Sequence, residues 1–112
     1  MAINKKDVIC EYALNSLNDV ASFARFVSYA ENLSQLEELF KDEKAKEDYK
    51  QIWFELEIIN ALALSQWETE GRPSDWNTQW ESGYKQDATN VMNELLNTLI
   101  LIKILTINRP GF

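Results

Sequence analysis

Residues that could do chemistry are scarce in this chain, which contains no histidine. Without histidine the chain lacks the commonest general base and the usual partner of a serine or cysteine nucleophile. Cys10 is the single cysteine, and the nearby Lys5, Lys6 and Asp7 supply no activating base. One cysteine cannot form an internal disulfide, and a Cys/His metal site is excluded. We therefore expect Cys10 to be a small buried apolar residue of a first helix.

Carboxylates could hold a divalent metal if acids three residues apart faced the inside of a helical bundle. No Asp or Glu of this chain lies three residues from another. Acids four residues apart do occur in a lysine-rich stretch, Glu38 with Asp42 and Glu43 with Glu47. We expect these to be exposed charges in local ion pairs. The three glycines are too scattered for a phosphate-binding loop, so the sequence predicts no metal, no cofactor and no catalytic residue.

The most suggestive stretch is residues 51–84, which holds all four tryptophans and six acids against a single arginine. Indoles bordered by carboxylates suit a basic, partly apolar partner, because the indoles supply desolvated contact area and the acids pair with Lys or Arg. Trp53 and Trp67 fit the apolar stripe of their helix and are expected in the core. The polar neighbours of Trp76 and Trp80 leave open whether these two are core or surface. The predicted partner-binding residues are Glu68, Glu70, Asp75, Trp76, Trp80 and Glu81.

The length of 112 residues suits a single helical domain, residues 1–112, that can bury an ordinary hydrophobic core. The composition, 46% hydrophobic and 26% charged, is that of a globular protein, and three Gly and two Pro leave few breakers of long helices. A net charge of −7 disfavours nucleic-acid binding, which depends on Lys and Arg. It favours a basic protein partner, or serves solubility alone.

Apolar spacings of three and four residues recur along the chain and predict an all-α fold, a single-domain bundle of four to five helices with a buried C-terminal helix. Asn4 is a candidate N-cap of the first helix. Ser16, with Asp19 three residues later, indicates a second helix over residues 17–31 after a short turn. The segment SQLE at residues 34–37 has the pattern of a capping box and predicts the start of a third helix.

The pattern after the capping box leaves open whether residues 35–70 form one helix or two. A break near residues 42–47 is favoured, because one rod of that length outgrows a small domain. Gly71 and Pro73 end this segment, and Ser74 is a candidate cap for the next helix. Four-residue spacing then predicts an aromatic column on one helical face, made of Trp76, Trp80 and Tyr84.

The C-terminal helix is expected to begin between Asp75 and Asp87 and to end near Asn108. Near its end, four consecutive apolar residues would point to every side of a helix, so they must be buried or form a homodimer seam: Leu99, Ile100, Leu101 and Ile102. Polar residues interrupt this apolar run, which is too short to span a bilayer. The N-terminal stretch has no continuous apolar segment of a secretory signal, and we expect a cytoplasmic protein without membrane contact.

The function that these patterns favour is that of a small acidic, non-catalytic binding protein. It would neutralise a larger, basic protein, as a toxin immunity protein does for a nuclease toxin, by covering the partner's basic cleft with residues 68–81. The alternatives are a phage-encoded inhibitor of a host defence protein and a homo-oligomeric helical scaffold joined through residues 99–102. An enzyme, or a receptor for a small apolar ligand held among Trp and Phe side chains, forms a third class.

Overall fold

α-Helices make up most of this structure, a computed structural model that describes the backbone of residues 2–100 and 103–105 and the side chains of residues 5–100. Within these residues there are five α-helices, in agreement with the predicted all-α bundle of four to five helices. Their buried apolar side chains form one hydrophobic core. The helices are α1 (Lys5–Ser16), α2 (Val20–Leu33), α3 (Glu43–Thr69), α4 (Asn77–Gly83) and α5 (Lys85–Asn97).

The predicted turn between α1 and α2 exists, but it lies at residues 17–19, so α2 begins at Val20 and not at residue 17 as predicted. Ser16, a predicted N-cap, is instead the last residue of α1, and its Oγ donates a hydrogen bond of 2.6 Å to the Ala13 carbonyl. Asp19 caps α2, since its carboxylate accepts a hydrogen bond of 2.7 Å from the backbone N–H of Ser22. An acid serves here because the first N–H groups of a helix have no partner within the helix.

The predicted capping box at the start of the third helix is wrong. Ser34 closes α2 instead, and its Oγ donates a hydrogen bond of 2.9 Å to the Glu31 carbonyl. A 3₁₀ turn follows at Glu37–Leu39, and the buried side chains of Leu39 and Phe40 hold this linker against the core. Their burial outweighs the capping signal, because burying a large apolar side chain contributes about 1.5–3 kcal/mol and a cap about 1 kcal/mol.

The long helix α3 begins later than predicted. Asp42 is its N-cap, and the Asp42 carboxylate accepts a hydrogen bond of 2.8 Å from the backbone N–H of Ala45. From there 27 residues continue as one helix of about 40 Å. Residues 35–70 therefore contain a single α-helix, and the break predicted near residues 42–47 is wrong, because α3 runs without interruption from Glu43.

The end of α3 has the geometry that its glycine predicts. Gly71 has a φ of +90°, in the left-handed region that glycine enters without strain, and Arg72 follows with a φ of +55°. The N–H of Arg72 donates to the Trp67 carbonyl at 2.9 Å, and the N–H of Gly71 donates to the Glu68 carbonyl at 3.0 Å. This pair of bonds is a Schellman motif, which stops the helix and turns the chain.

The last two helices, α4 and α5, are shorter than α3. Ser74, a predicted cap, does not act as one: α4 begins at Asn77 behind Trp76, which forms no side-chain capping bond. α5 begins at Lys85, inside the predicted interval. Both α2 and α5 pack against α3, so one side of α3 is covered by helices and its other side carries exposed residues.

The C-terminal helix packs one face into the core, with its other face exposed, and it ends sooner than predicted, at Asn97 instead of near Asn108. Thr98 closes it, and the Thr98 Oγ1 donates a hydrogen bond of 2.7 Å to the Leu95 carbonyl. The buried residues of α5 are Ala88, Met92, Leu95 and Leu96. In the part of the chain that the structure describes, no helix is both long enough and apolar enough to cross a membrane.

The predicted apolar turn of helix after residue 98 is wrong for Leu99 and Ile100, which follow α5 in a non-helical stretch. Leu99 is buried in the core, and the backbone N–H of Ile100 donates to the Leu39 carbonyl at 2.9 Å. Leu101 and Ile102 lie outside the described residues. The homodimer seam expected from these residues therefore lacks Leu99, which packs within its own chain.

Two short strands, which the sequence analysis did not predict, join distant parts of the chain. β1 (Ala2–Asn4) pairs in antiparallel fashion with β2 (Lys103–Leu105), with Ile3 opposite Ile104. A two-stranded ribbon of this size is marginally stable at best by itself in water, so it depends on the helices beside it.

Candidate functional site

The two tryptophans of the α4 segment, for which the sequence leaves core and surface open, lie inside the molecule, so neither ring is exposed for the partner contact predicted from the sequence. Trp80 is fully buried, and its indole N–H donates a hydrogen bond of 2.8 Å to the Leu17 carbonyl. Trp76 is 3% exposed and donates to the Glu70 carboxylate at 2.9 Å. Both indoles therefore stabilise the fold, and each has the hydrogen-bond partner that a buried N–H requires.

The predicted aromatic column exists, but it faces inward. The ring centroid of Tyr84 lies 5.8 Å from that of Trp76 and 6.5 Å from that of Trp80, with interplanar angles of 26° and 15°. Trp80 also meets Phe23 of α2, with ring centroids 5.1 Å apart. Four-residue spacing places the rings on one face of a helix, but it does not say whether that face points to the core or to solvent.

The carboxylates of the predicted site are exposed, but they have partners within the chain. Glu68 pairs with Arg72 at 2.9 Å, and Glu81 pairs with Lys85 at 3.9 Å. Asp75 accepts a long hydrogen bond of 3.5 Å from the backbone N–H two residues later. Exposed ion pairs contribute about 0–1 kcal/mol, so these acids stay accessible. The segment therefore keeps its negative charge at the surface, while the indoles of Trp76 and Trp80 are buried.

Glu70 is tied into the loop between α3 and α4 from two sides. Its carboxylate accepts hydrogen bonds from the Gln66 amide at 2.8 Å and from the Trp76 indole at 2.9 Å. Both bonds favour the charged form, so they hold the pKa of Glu70 below its ordinary value, with the Gln66 bond contributing most. Glu70 therefore helps to position Trp76, a role that the sequence analysis did not predict.

We expect Glu70 to make the stability of this loop sensitive to acid. Because the folded-state pKa is depressed, the contribution is complete above the ordinary pKa of about 4.3 and is lost as the pH falls through the lower folded-state value. NMR titration of the Glu70 carboxyl should show this lowered pKa, and it should rise in Gln66→Ala and, by less, in Trp76→Phe. A wild-type pKa that neither variant changes would show that the two bonds do not form.

The other two tryptophans are half-buried and pack against the core, as predicted. The Trp67 indole donates to the Pro73 carbonyl at 2.9 Å and fastens the loop that follows α3. The Trp53 indole donates to the Val27 carbonyl at 2.9 Å and joins α3 to α2. Both indole N–H groups are therefore used within the chain, and only the rings remain for other contacts.

An exposed row of apolar side chains runs along α3. It consists of Phe54, Ile58 and Leu62, which are 60%, 46% and 59% exposed. Residues four apart are neighbours on a helix, so these three side chains form one continuous row, which we name the outer stripe. Single exposed apolar residues are ordinary, whereas a contiguous apolar row marks a surface that another molecule covers.

The outer stripe is not among the surfaces that the sequence predicts. α3 has apolar residues on two sides, because Leu56 and Ala63 are fully buried while the outer stripe is exposed. A helix with two apolar sides has no clear single stripe, so periodicity cannot separate them. The signal in the sequence that could have indicated the outer stripe is the number of apolar residues. Most positions from 52 to 64 are apolar, which is more than one helical face can hold.

Carboxylates flank the outer stripe on both sides. Glu57 follows Trp53 by one turn, on the side of α2. On the other side, Glu55 of α3 and Asp87 of α5 line a groove of about 360 Å³, which Ile58 also lines. None of these three carboxylates forms an ion pair within residues 5–100. Their charge is available to another molecule.

Cys10 is half-buried, close to the expected buried position. Burial raises the pKa of its thiol, an effect that Lys6 opposes and Asp7 reinforces. A raised pKa keeps the thiol protonated at neutral pH, and only the thiolate is a strong nucleophile. Among the described residues, no group of three or more cysteine and acidic side chains is placed to hold a metal ion.

The fold and the site define a small acidic helical protein with an exposed apolar row between carboxylates. No protein-family model, curated protein or solved structure matches this chain. An apolar row of this kind can exclude water from a contact, and the flanking acids can pair with basic groups. The geometry of this surface therefore suits binding.

Proposed function

We propose that this chain is a non-catalytic binding protein that docks on a larger, basic protein through the outer stripe and neutralises it, as a toxin immunity protein does. The observation that carries the proposal is the exposure of Phe54, Ile58 and Leu62 between carboxylates on a chain of net charge −7. Apolar anchors at the centre of an interface supply most of the binding energy, and charges around them speed association and select the partner.

This proposal keeps the partner expected from the sequence and moves the centre of the binding surface to α3. The outer stripe and the acidic segment of residues 68–81 meet at one end of α3. Glu68 follows Glu57 by eleven residues, about three helical turns, so it lies on the same side of α3. A partner that lies along the outer stripe therefore reaches the acids after residue 68. Trp76 and Trp80 have no direct part in this contact, since both are buried.

The arrangement of charge describes the partner's surface. Acids border the outer stripe on the side of α2 and on the side of α5, so the matching surface has an apolar ridge with Lys or Arg on both sides. An amphipathic basic helix has this pattern. A second copy of the chain is a poor match, because two such faces would bring like charges together.

Binding should depend on Leu62 and not on a matched leucine elsewhere. Leu62→Glu places a charge in the outer stripe, whereas Leu14→Glu makes the same change on α1 at a residue of similar exposure, 61% against 59%. The wild-type chain and both variants would be immobilised and exposed to lysate of the source organism, and each captured protein would be purified for isothermal titration. We expect Leu62→Glu to weaken binding about 30-fold, the equivalent of roughly 2 kcal/mol for an interface anchor. Leu14→Glu should bind as the wild type does.

Three results would contradict the proposal. The first is a purified partner that binds Leu62→Glu as tightly as the wild type, and the second is a partner whose binding surface is acidic. The third is the capture of nothing but further copies of this chain, which sedimentation of the wild type would then show as a dimer.

A further inference from the structure

A cavity of about 520 Å³ lies where the end of α2 meets α3. It adjoins the outer stripe, because Phe54 belongs to both. Cavities of this size hold a long side chain or a small ligand. The residues that line it are Glu31, Asn32, Ser34, Gln35, Tyr49, Lys50, Trp53 and Phe54.

Aromatic side chains form part of the cavity wall, and their polar atoms are already occupied. The Trp53 indole N–H donates to the Val27 carbonyl at 2.9 Å, and the Tyr49 hydroxyl donates to the Ala30 carbonyl. These bonds hold the rings in place and leave no indole or phenol donor for a ligand. The rings can offer a ligand their π-faces, which attract cations.

The cavity also carries negative charge. Glu31 lines it, and the Glu31 carboxylate forms no ion pair with any residue whose side chain the structure describes. Ser34, the C-cap of α2, lines it too, so the partial negative charge of a helix C-terminus lies at the cavity. Lys50, the basic residue of the lining, pairs with Glu47 at 3.8 Å. Aromatic rings, a carboxylate and a helix C-terminus all favour a cation.

We propose that this cavity binds an arginine side chain of the partner, an inference that rests on the proposed function because the arginine reaches the cavity from the outer stripe. A guanidinium is planar, so it can stack on Trp53 or Phe54 while it donates paired hydrogen bonds to the Glu31 carboxylate. A lysine ammonium has the same charge but no flat face to stack, and it is more strongly hydrated. The cavity therefore selects arginine and fixes the position of the partner along α3.

N-acetyl-L-arginine methylamide tests the cavity without the partner. Titrated into the wild-type chain, it should shift the NMR signals of the Trp53 indole N–H and of the Gln35 and Lys50 amides, with Trp53→Phe used to assign the indole signal. The lysine analogue should bind more weakly, and the uncharged citrulline analogue should leave these signals unchanged. Glu31→Gln should weaken arginine binding about fivefold, the size expected for one charge-assisted contact at a partly exposed site. Glu94→Gln, an exposed acid on α5, is the matched control and should have no effect.

Measuring how tightly the purified partner binds the same variants of this chain separates this inference from the proposed function. Glu31→Gln should weaken partner binding about fivefold, and Leu62→Glu by more. If Leu62→Glu reduces partner binding but arginine shifts no cavity signal, or citrulline shifts them equally, the inference is wrong and the proposed function stands. If partner binding responds to neither variant, both are wrong.

Discussion

Replacing Trp80 with alanine should lower the free energy of unfolding by about 3–5 kcal/mol, the range for removing a buried aromatic side chain. Trp80 is fully buried, its ring packs against Phe23 and Tyr84, and its indole N–H donates to the Leu17 carbonyl. The substitution removes the packing and the hydrogen bond together. Because a domain of this kind is stable by roughly 5–15 kcal/mol, the variant is expected to be partly unfolded at modest urea concentrations. Urea denaturation followed by far-ultraviolet circular dichroism measures the difference.

Trp80→Phe separates the two contributions. Phenylalanine retains much of the packing but leaves the Leu17 carbonyl without its donor, so we expect a loss of about 1–3 kcal/mol. If Trp80→Ala unfolded at the same urea concentration as the wild type, the indole could not be part of the core. Of the two alternatives that the sequence leaves open for Trp80, core and surface, the surface one would then be correct.

The same substitution should cost much more stability on the buried side of α3 than on its exposed side. Leu56→Ala removes a fully buried side chain and should lower the free energy of unfolding by about 2–5 kcal/mol. Leu62→Ala removes an exposed side chain of the same helix and should change it by less than about 0.5 kcal/mol. Denaturation of the two variants under identical conditions compares their free energies of unfolding. The change in helix propensity is the same for both, because each replaces Leu with Ala in the interior of α3.

This pair of variants decides whether the outer stripe belongs to the fold or to a contact. Equal losses at Leu56 and Leu62 would mean that the stripe is covered within the chain, and the proposed binding surface would disappear. If Leu62→Ala lowers the free energy of unfolding only slightly and Leu62→Glu reduces partner binding, the exposed leucine contributes to binding and not to the fold.

The parts of the fold that the sequence predicts correctly are set by residues close to one another. Gly71 marks the end of α3 because the groups that its turn satisfies lie within one turn of it, whereas the N-cap of α2 is Asp19 and not the predicted Ser16. The all-α bundle and the turn between α1 and α2 follow from local spacing in the same way. Local rules fail where distant residues decide, as they do at the start of α3.

The predicted start of the third helix and the predicted end of the C-terminal helix are both wrong, and they share such a distant cause. Leu39 is buried in the linker before α3, and its carbonyl accepts a hydrogen bond from the N–H of Ile100, just after α5. This hydrogen bond joins a 3₁₀ turn to the segment after α5, neither of which is α-helical, and neither segment reveals the contact alone. The apolar run after Thr98 was read as helix because periodicity does not distinguish a buried helix from a strand in a short continuous run.

The candidate site shows the same limit. The chemistry of the predicted partner was deduced from composition and charge, which do not depend on which way a side chain points. Whether an indole can contact a partner does depend on the direction of its side chain, and Trp76 and Trp80 are buried. Phe54 and Ile58 were overlooked because their helix also buries apolar residues on its opposite side.

The pairing of Ala2 with Leu105 spans nearly the whole length of the chain. Closing so long a loop loses conformational entropy before any contact is gained, whereas neighbouring helices such as α1 and α2 meet early. During synthesis on the ribosome, residues 2–4 therefore have no strand partner until residues 103–105 emerge. We therefore expect the ribbon to close after the helices have assembled, and to act on the rate at which the folded chain opens more than on the rate at which it folds.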